Sequence, residues 1–117
     1  NTGPYAVQAA IAALHLQQPR DWAQIAALYQ RLAIQTGSPV VELNRAVAVA
    51  ELEGADAGLA VLDALDLDHY RYFHSVRAEL LRRAGRDNEA RAAYQRAIDL
   101  AQSETERRSL LDRLAEL

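Results

Sequence analysis

The chain has 117 residues, a formal net charge of −3 at pH 7 and no cysteine. This length is sufficient to bury a core without cross-links, and the lack of cysteine excludes disulfides and thiolate metal sites. Half of the residues are hydrophobic, with only three prolines and five glycines, so an all-α fold is predicted.

Four helices are predicted in the first half of the chain. They cover about residues 4–18, 22–36, 39–53 and 56–65, and Asp21 is a suitable N-cap for the second. The third helix is apolar on nearly all sides. We therefore expect it to be packed on both sides and to be the most buried of the set.

Three further helices are predicted in the second half, over about residues 69–84, 87–101 and 104–117. Asp87 is the expected N-cap of the sixth helix, and Ser103 begins a capping box for the seventh. The seventh helix is expected to cover the preceding helix pair with a leucine face. These leucines are Leu110, Leu111, Leu114 and Leu117.

One pattern of spacing recurs three times along these helices. Two residues three positions apart are followed by a triplet at offsets 12, 16 and 19, and the frames are displaced by 33 and then 32 residues. The frames are Ala13, Leu16, Ile25, Tyr29, Leu32; Ala46, Val49, Gly58, Leu62, Leu65; and Ala78, Leu81, Ala90, Tyr94, Ala97. A period near 34 residues built from paired helices is typical of tetratricopeptide repeats, in which small residues allow close helix contact.

The repeat predicts a single all-α domain over residues 1–117. We expect a tetratricopeptide-like right-handed superhelix of about three helix pairs plus a C-terminal capping helix. Its concave side would be formed mainly by helices one, three and five and would be a groove for a protein partner. The candidate groove residues are Leu14, Gln17, Leu43, Asn44, Val47, Tyr72, Ser75, Glu79 and Arg82.

Two polar residues interrupt the apolar third helix. Asn44 and Arg45 need hydrogen-bond partners if they are buried. Their side chains either bond to adjacent helices or line the groove, and the sequence leaves both options open.

The sequence lacks the motifs of a catalytic or metal site. His15, His69 and His74 form no HxxxH or HExxH pattern, and there is no nucleophile motif or phosphate-binding glycine loop. We interpret the histidines as partly buried or rim residues with local hydrogen bonds. The chain is expected to have no enzymatic activity, no cofactor and no metal.

Charge is divided unevenly along the chain. Residues 1–68 carry three arginines against eight acids, whereas residues 69–117 carry ten arginines against eight acids. Clustered cations can bind nucleic acid, but several of these arginines have acids one helical turn away, which favours a solvated, internally paired surface. The expected pairs are Glu79 with Arg83, Asp87 with Arg91 and Glu104 with Arg108. The cluster of Tyr70, Tyr72 and Phe73 is interpreted as packing against a neighbouring repeat rather than as a base-stacking platform.

Four segments carry a resemblance to a known family. They are GPYAVQAAIAALH, DWAQIAALYQRL, SPVVELNRAVAVAELEGADAGLAVLDAL and AELLRRAGRDNEARAAYQRAIDLA. Taken in this order, they resemble the C-terminal region of bacterial extracytoplasmic-function sigma factors that carry a tetratricopeptide-like extension. The first and third segments are much more specific than the last, which would fit almost any tetratricopeptide protein.

The resemblance implies a regulatory protein-interaction domain of a transcription initiation factor. The expected partner is the factor's own sigma domains, RNA polymerase or a signalling protein; promoter DNA would be bound only through domains absent here, and no membrane partner is expected. Because the chain starts with Asn1 rather than methionine, we expect it to be a piece of a longer cytoplasmic protein. The alternative is a generic tetratricopeptide scaffold, or an RNA-binding helical repeat, unrelated to sigma factors.

Overall fold

The computed structural model describes residues 3–117, which form seven helices in chain order and no β-strand. The helices are α1 (Pro4–His15), α2 (Trp22–Thr36), α3 (Pro39–Glu53), α4 (Ala55–Asp63), α5 (Arg71–Arg83), α6 (Asp87–Leu100) and α7 (Glu104–Ala115). The all-α prediction is confirmed. Within this range no helix is long and apolar enough to cross a lipid bilayer.

The chain divides into two compact units, one ending at Leu65 and the other covering Asp66–Leu117. In the first unit α1 packs on α2, α2 on α3 and α3 on α4. In the second unit α5 packs on α6 and α6 on α7. The assignment of residues 1–117 to one domain stays a prediction.

Polar caps and a glycine fix several helix ends as the sequence predicts. Asp21, Ser38 and Ser103 each accept a hydrogen bond from the backbone N–H three residues later, at 3.1, 3.4 and 3.1 Å. Each bond satisfies a donor that the first helical turn leaves without a partner. Gly37 ends α2 with a left-handed φ of 64°, a conformation that glycine adopts without steric cost.

Other helix ends differ from the prediction by a few residues. α1 ends at His15 and not near residue 18, α5 begins at Arg71 and not near residue 69, and α4 ends at Asp63. Asp87 is the first helical residue of α6, so the N-cap position falls on Arg86, whose side chain makes no capping bond. The Asp87 carboxylate still lies where the helix dipole favours negative charge.

The third helix is packed on both sides, as predicted. α3 contacts α2 and α4 and contains five buried residues, more than any other helix described. Its apolar surface nevertheless exceeds what the neighbouring helices cover, because Val40, Val47 and Leu52 remain exposed. The hydrophobic pattern alone therefore overstates how far α3 is enclosed.

The predicted repeat frame agrees with the burial in two of the helix pairs. Ala46 and Gly58 in α3 and α4 are both buried, as are Ala78 and Ala90 in α5 and α6. In both pairs the two residues are 12 positions apart. Small side chains at these positions leave room for the two helix backbones to approach closely.

The frame is wrong in α1. Leu16 is 83% exposed and Ala13 is also exposed, whereas Ile11 and Leu14 are buried. The turn that joins α1 to α2 covers residues 16–21, which is longer than the links within the other two pairs. The extra residues displace the buried positions of α1 by two relative to the predicted frame.

The last helix packs on α6 with a narrower leucine face than predicted. Leu110 is buried, whereas Leu111 is 44% exposed and Leu114 and Leu117 are only partly buried. The inclusion of Leu111 in the inward face is therefore wrong. Leu110 and Leu114 are four residues apart and share one side of the helix, from which Leu111 is rotated by about 100°.

Candidate functional site

The five groove candidates of the first unit do not form one open surface. Leu14 and Leu43 are 7% and 2% exposed, so they belong to the core, and their assignment to an open groove is wrong. Gln17 lies exposed in the turn after α1, and Asn44 and Val47 are exposed on α3. Helical periodicity identified α1 and α3 correctly but did not separate their inward and outward faces.

The four candidates of the second unit share one face of α5. Tyr72, Ser75, Glu79 and Arg82 follow one another at intervals of three, four and three residues, which places them along one side of a helix. Tyr72 is 52% exposed, Arg82 is exposed, and Ser75 and Glu79 are partly buried. We refer to these four residues as the α5 stripe.

Glu79 is the centre of a hydrogen-bonded network on the α5 stripe. Arg82 donates from Nε to Oε2 at 3.1 Å and from Nη2 to Oε1 at 2.6 Å, and Arg83 Nε donates to Oε1 at 3.3 Å. Partial burial alone would raise the pKa of Glu79, but the two guanidinium groups outweigh it and lower the pKa below its ordinary value. Glu79 is therefore an ionised anchor for Arg82, and its predicted pairing with Arg83 is confirmed.

Tyr94 connects this network to the helix behind it. Its side chain is fully buried in α6, and its hydroxyl donates to Glu79 Oε2 at 3.3 Å. Burial, followed by the negative charge of Glu79, raises the pKa of Tyr94 above its ordinary value. The phenol stays neutral at physiological pH and donates its hydrogen bond to the Glu79 carboxylate from the buried side of α5.

A cavity of about 460 Å³ borders the same network at the end of α5. It is lined by Glu79, Arg82, Arg83, Arg113 and Glu116. Three guanidinium groups thus share this space with two carboxylates. Guanidinium groups bind carboxylates and phosphates with paired hydrogen bonds, but here Glu79 already occupies two of the three.

The other end of the α5 stripe is aromatic. The Arg71 guanidinium lies 4.9 Å from the centre of the Tyr72 ring, and the Tyr70 and Tyr72 rings meet edge to face at 5.7 Å. Arg71 Nε also lies 3.1 Å from Glu106 Oε1, as an ion pair whose alignment does not make a hydrogen bond. These contacts hold an exposed tyrosine in place. The packing of this aromatic cluster against a neighbouring repeat stays a prediction.

A second concave site lies within the first unit, among α1, α2 and α3. This site, here called the α1–α3 pocket, has a volume of about 360 Å³. Its lining residues are Gln8, Ile11, Ala12, His15, Tyr29, Leu32, Val41 and Asn44. The His15 Nε2 and Tyr29 hydroxyl atoms are joined by a hydrogen bond of 3.3 Å, and burial raises the pKa of Tyr29.

Sequence reasoning found only Asn44 among the polar residues of this pocket. The sequence pattern gives no role to Gln8 and indicates a rim position for His15 and a helix contact for Tyr29. The signal was present in the spacing, because Gln8 and His15 are seven residues apart and therefore lie on the same face of α1. The sequence does not show that Asn44 of α3 lies in the same pocket as these residues of α1.

The interpretation of the histidines as partly buried or rim residues with local hydrogen bonds fits His15 and His74. His15 is partly buried and hydrogen-bonded to Tyr29, and His74 is 7% exposed, with Nε2 donating to the Asp68 carbonyl at 2.6 Å. His69 is exposed. Across residues 3–117, no cluster of three or more His, Asp or Glu side chains is arranged to hold a metal ion.

Several arginines pair with an acid three or four residues away, although two predicted partners are wrong. Arg91 donates to Asn88 Oδ1 at 2.8 Å rather than pairing with Asp87, and Glu104 pairs with Arg107 rather than Arg108. In both cases the partner lies three residues away, which is the other spacing that brings helix side chains together. Arg45 likewise bonds within its own helix, to Glu42 at 2.9 and 3.1 Å, and not to an adjacent helix.

The chain is similar to part of a longer bacterial protein. No protein-family model matches the chain, and no solved structure matches it. An uncharacterized protein of Rhizobium meliloti (strain 1021) is 49% identical over 122 residues, which cover 97% of this chain. The chain spans 29% of the length of that relative.

Proposed function

We propose that this chain is a tetratricopeptide-like protein-interaction domain that regulates an extracytoplasmic-function sigma factor. The observation that carries the proposal is the recurrence of buried small residues in successive helix pairs. Ala46 and Ala78 are both fully buried, Gly58 and Ala90 are both buried, and the members of each couple are 32 residues apart. Buried small residues at a fixed period support a stack of similar helix pairs.

The proposed architecture is a right-handed superhelix of three helix pairs followed by a capping helix. Contacts between α1 and α2, α3 and α4, and α5 and α6 support the three pairs, and the contact of α7 with α6 supports the cap. A terminal helix that covers an apolar face is what a short repeat stack needs for solubility. The domain would act by presenting a preformed surface and not by a catalytic step.

The sigma-factor assignment rests on the four sequence segments that resemble the extension of those proteins. The Rhizobium relative, in which the matching region is a minor part of a longer chain, agrees with a domain that belongs to a larger protein. The partner would be the sigma domains of the same protein, RNA polymerase or a signalling protein. Promoter DNA would be bound by other domains of the complete protein.

The α5 stripe is the surface that we assign to the partner. Tyrosine and arginine often contribute most of the energy of protein interfaces, and Tyr72 and Arg82 are the exposed ends of this stripe. Glu79 already holds Arg82 in one orientation, so less side-chain freedom is lost when a partner binds. Because Glu79 binds Nε and Nη2 of Arg82, a carboxylate on the partner would bind the remaining guanidinium nitrogen, Nη1.

A double variant tests this assignment in the intact protein. Tyr72→Ala with Arg82→Ala should weaken partner capture and alter promoter-specific transcription, because it removes both exposed side chains. Tyr5→Ala with Arg108→Ala is the matched control, since Tyr5 is 87% exposed and Arg108 is exposed on α7. If partner capture and transcription are unchanged in a folded double variant, the α5 stripe is not the working surface.

A second test separates the sigma factor from a generic scaffold. If the chain belongs to a sigma factor, the codons upstream of Asn1 should encode the two sigma domains. Deletion of residues 1–117 should then change transcription from the promoters that those domains select. An upstream region without sigma-type helices would contradict the sigma assignment while leaving the helical repeat intact.

A further inference from the structure

The α1–α3 pocket combines an apolar floor with polar groups at its edge. Ile11 and Leu32 are 5% and 3% exposed and form the floor with the partly buried Val41. Its volume of about 360 Å³ falls in the range of about 300–1,000 Å³ that is typical of small-molecule sites. The pocket is therefore large enough for a compact organic molecule.

Two side-chain amides at the edge of this pocket are available for a ligand. Gln8 and Asn44 are exposed, and neither amide has a hydrogen-bond partner among residues 3–117. Each carries two N–H donors and one carbonyl acceptor side by side. A ligand group that also offers a donor beside an acceptor can form two parallel hydrogen bonds with such an amide.

Among its described lining residues, the pocket has no Asp, Glu or Arg side chain to balance an ion, and the His15 imidazole is already hydrogen-bonded to Tyr29. Tyr29 remains a neutral phenol because burial raises its pKa. An ionised ligand would lose water without gaining a counter-charge, which is costly, whereas a neutral polar group would lose much less.

We propose that the α1–α3 pocket binds a small neutral molecule with a carboxamide head and an apolar body. The head pairs with Gln8 and Asn44, and the body lies on Ile11 and Leu32. This site goes beyond the proposed protein-interaction function and does not depend on it, since it lies in the first unit and shares no residue with the α5 stripe. It makes the domain a receptor for a chemical signal.

Three probe molecules of the same shape test the chemistry of the head group. Benzamide is neutral, benzoate is an anion and benzamidine is a cation, and all three carry the same ring. Binding is measured on the 117-residue chain from the NMR signals of the Gln8 and Asn44 side-chain amides. Fluorescence of Trp22, the single tryptophan, gives a second signal, because its ring lies 6.1 Å from that of His15.

Benzamide is expected to shift the Gln8 and Asn44 amide signals in a saturable manner, with benzoate and benzamidine at least tenfold weaker. Asn44→Ala and Gln8→Ala should each weaken benzamide binding about three- to tenfold, the effect of losing one or two hydrogen bonds. Gln95→Ala, at an exposed position of α6, is the matched control and should bind like the wild type.

Circular dichroism establishes that each variant is folded, and alanine favours helix at all three positions. Three results would each overturn the proposal. These are no saturable signal with benzamide, equal binding of either charged probe, and unchanged affinity in both Asn44→Ala and Gln8→Ala. The outcome is separate from that of the α5 variants, because the two experiments measure different ligands.

Discussion

Replacement of Ala90 by leucine tests the close helix contact on which the repeat interpretation depends. Ala90 is fully buried in α6, a helix that packs on α5. Leucine adds three carbon atoms to a site with no exposed surface. Because side chains in a packed core have little room to move, we expect a cost of about 1–3 kcal/mol in the free energy of unfolding.

The expected shift in melting temperature follows from the size of the chain. An unfolding entropy of about 2.1 cal/mol/K per residue gives about 0.25 kcal/mol/K for 117 residues. For cooperative unfolding of the whole chain, a loss of about 1–3 kcal/mol therefore lowers the midpoint by about 4–12 °C. A shift of this size is well resolved by circular dichroism or calorimetry.

Ala92→Leu is the matched control for this experiment. Ala92 lies in the same helix but is exposed, so the substitution has the same effect on helix propensity without entering the core. Its midpoint should stay within about 2 °C of the wild type, since surface substitutions usually change stability by no more than about 0.5 kcal/mol. Equal midpoints for Ala90→Leu and Ala92→Leu would refute the close contact between α5 and α6.

Three further predictions concern other parts of the chain. Gly58→Leu should destabilise the first unit by about 1–3 kcal/mol relative to Ala60→Leu at an exposed position of the same helix, as measured by urea unfolding; equal stability would remove Gly58 from the contact. Because the pKa of Tyr94 is raised in the folded chain, the unfolded chain releases this proton first, and stability is lost as the pH rises above 10. The Tyr94→Phe variant should lose less stability than the wild type over this pH range. An identical loss in both proteins would contradict the burial of this phenol. The dissociation constant of the chain for duplex DNA should stay above about 1 μM at physiological salt, because its net charge is −3. Tighter, salt-sensitive binding in an anisotropy titration would favour the nucleic-acid alternative.

Local signals explain why the helices could be predicted from the sequence. Asp21, Ser38 and Ser103 act within three residues of their own position, so the starts of α2, α3 and α7 are each encoded by a short segment. The register of α1 against α2 is different, because it depends on how residues 16–21 turn. A fixed spacing carried over from the other pairs therefore gave the wrong inward face for α1.

The same distinction between local and non-local information explains which candidate site could be predicted from the sequence. Tyr72 and Arg82 could be placed on one face of α5 because helix periodicity is local. The α1–α3 pocket requires His15, Tyr29 and Asn44 to meet from three helices, and their separations in sequence follow no motif. Leu14 and Leu43 were misplaced for the converse reason, since apolar residues near a predicted groove are equally suited to the core.

Tyr94 links the packing of the repeat to the proposed binding surface. It occupies the position that Leu62 fills in the preceding pair, 32 residues earlier, and both side chains are fully buried. Leucine would satisfy the packing alone, but tyrosine adds a hydroxyl that reaches Glu79 on α5. Glu79 in turn holds Arg82 through two hydrogen bonds. The same buried residue of α6 that packs in the core therefore also supports, through Glu79, the orientation of the exposed arginine on α5.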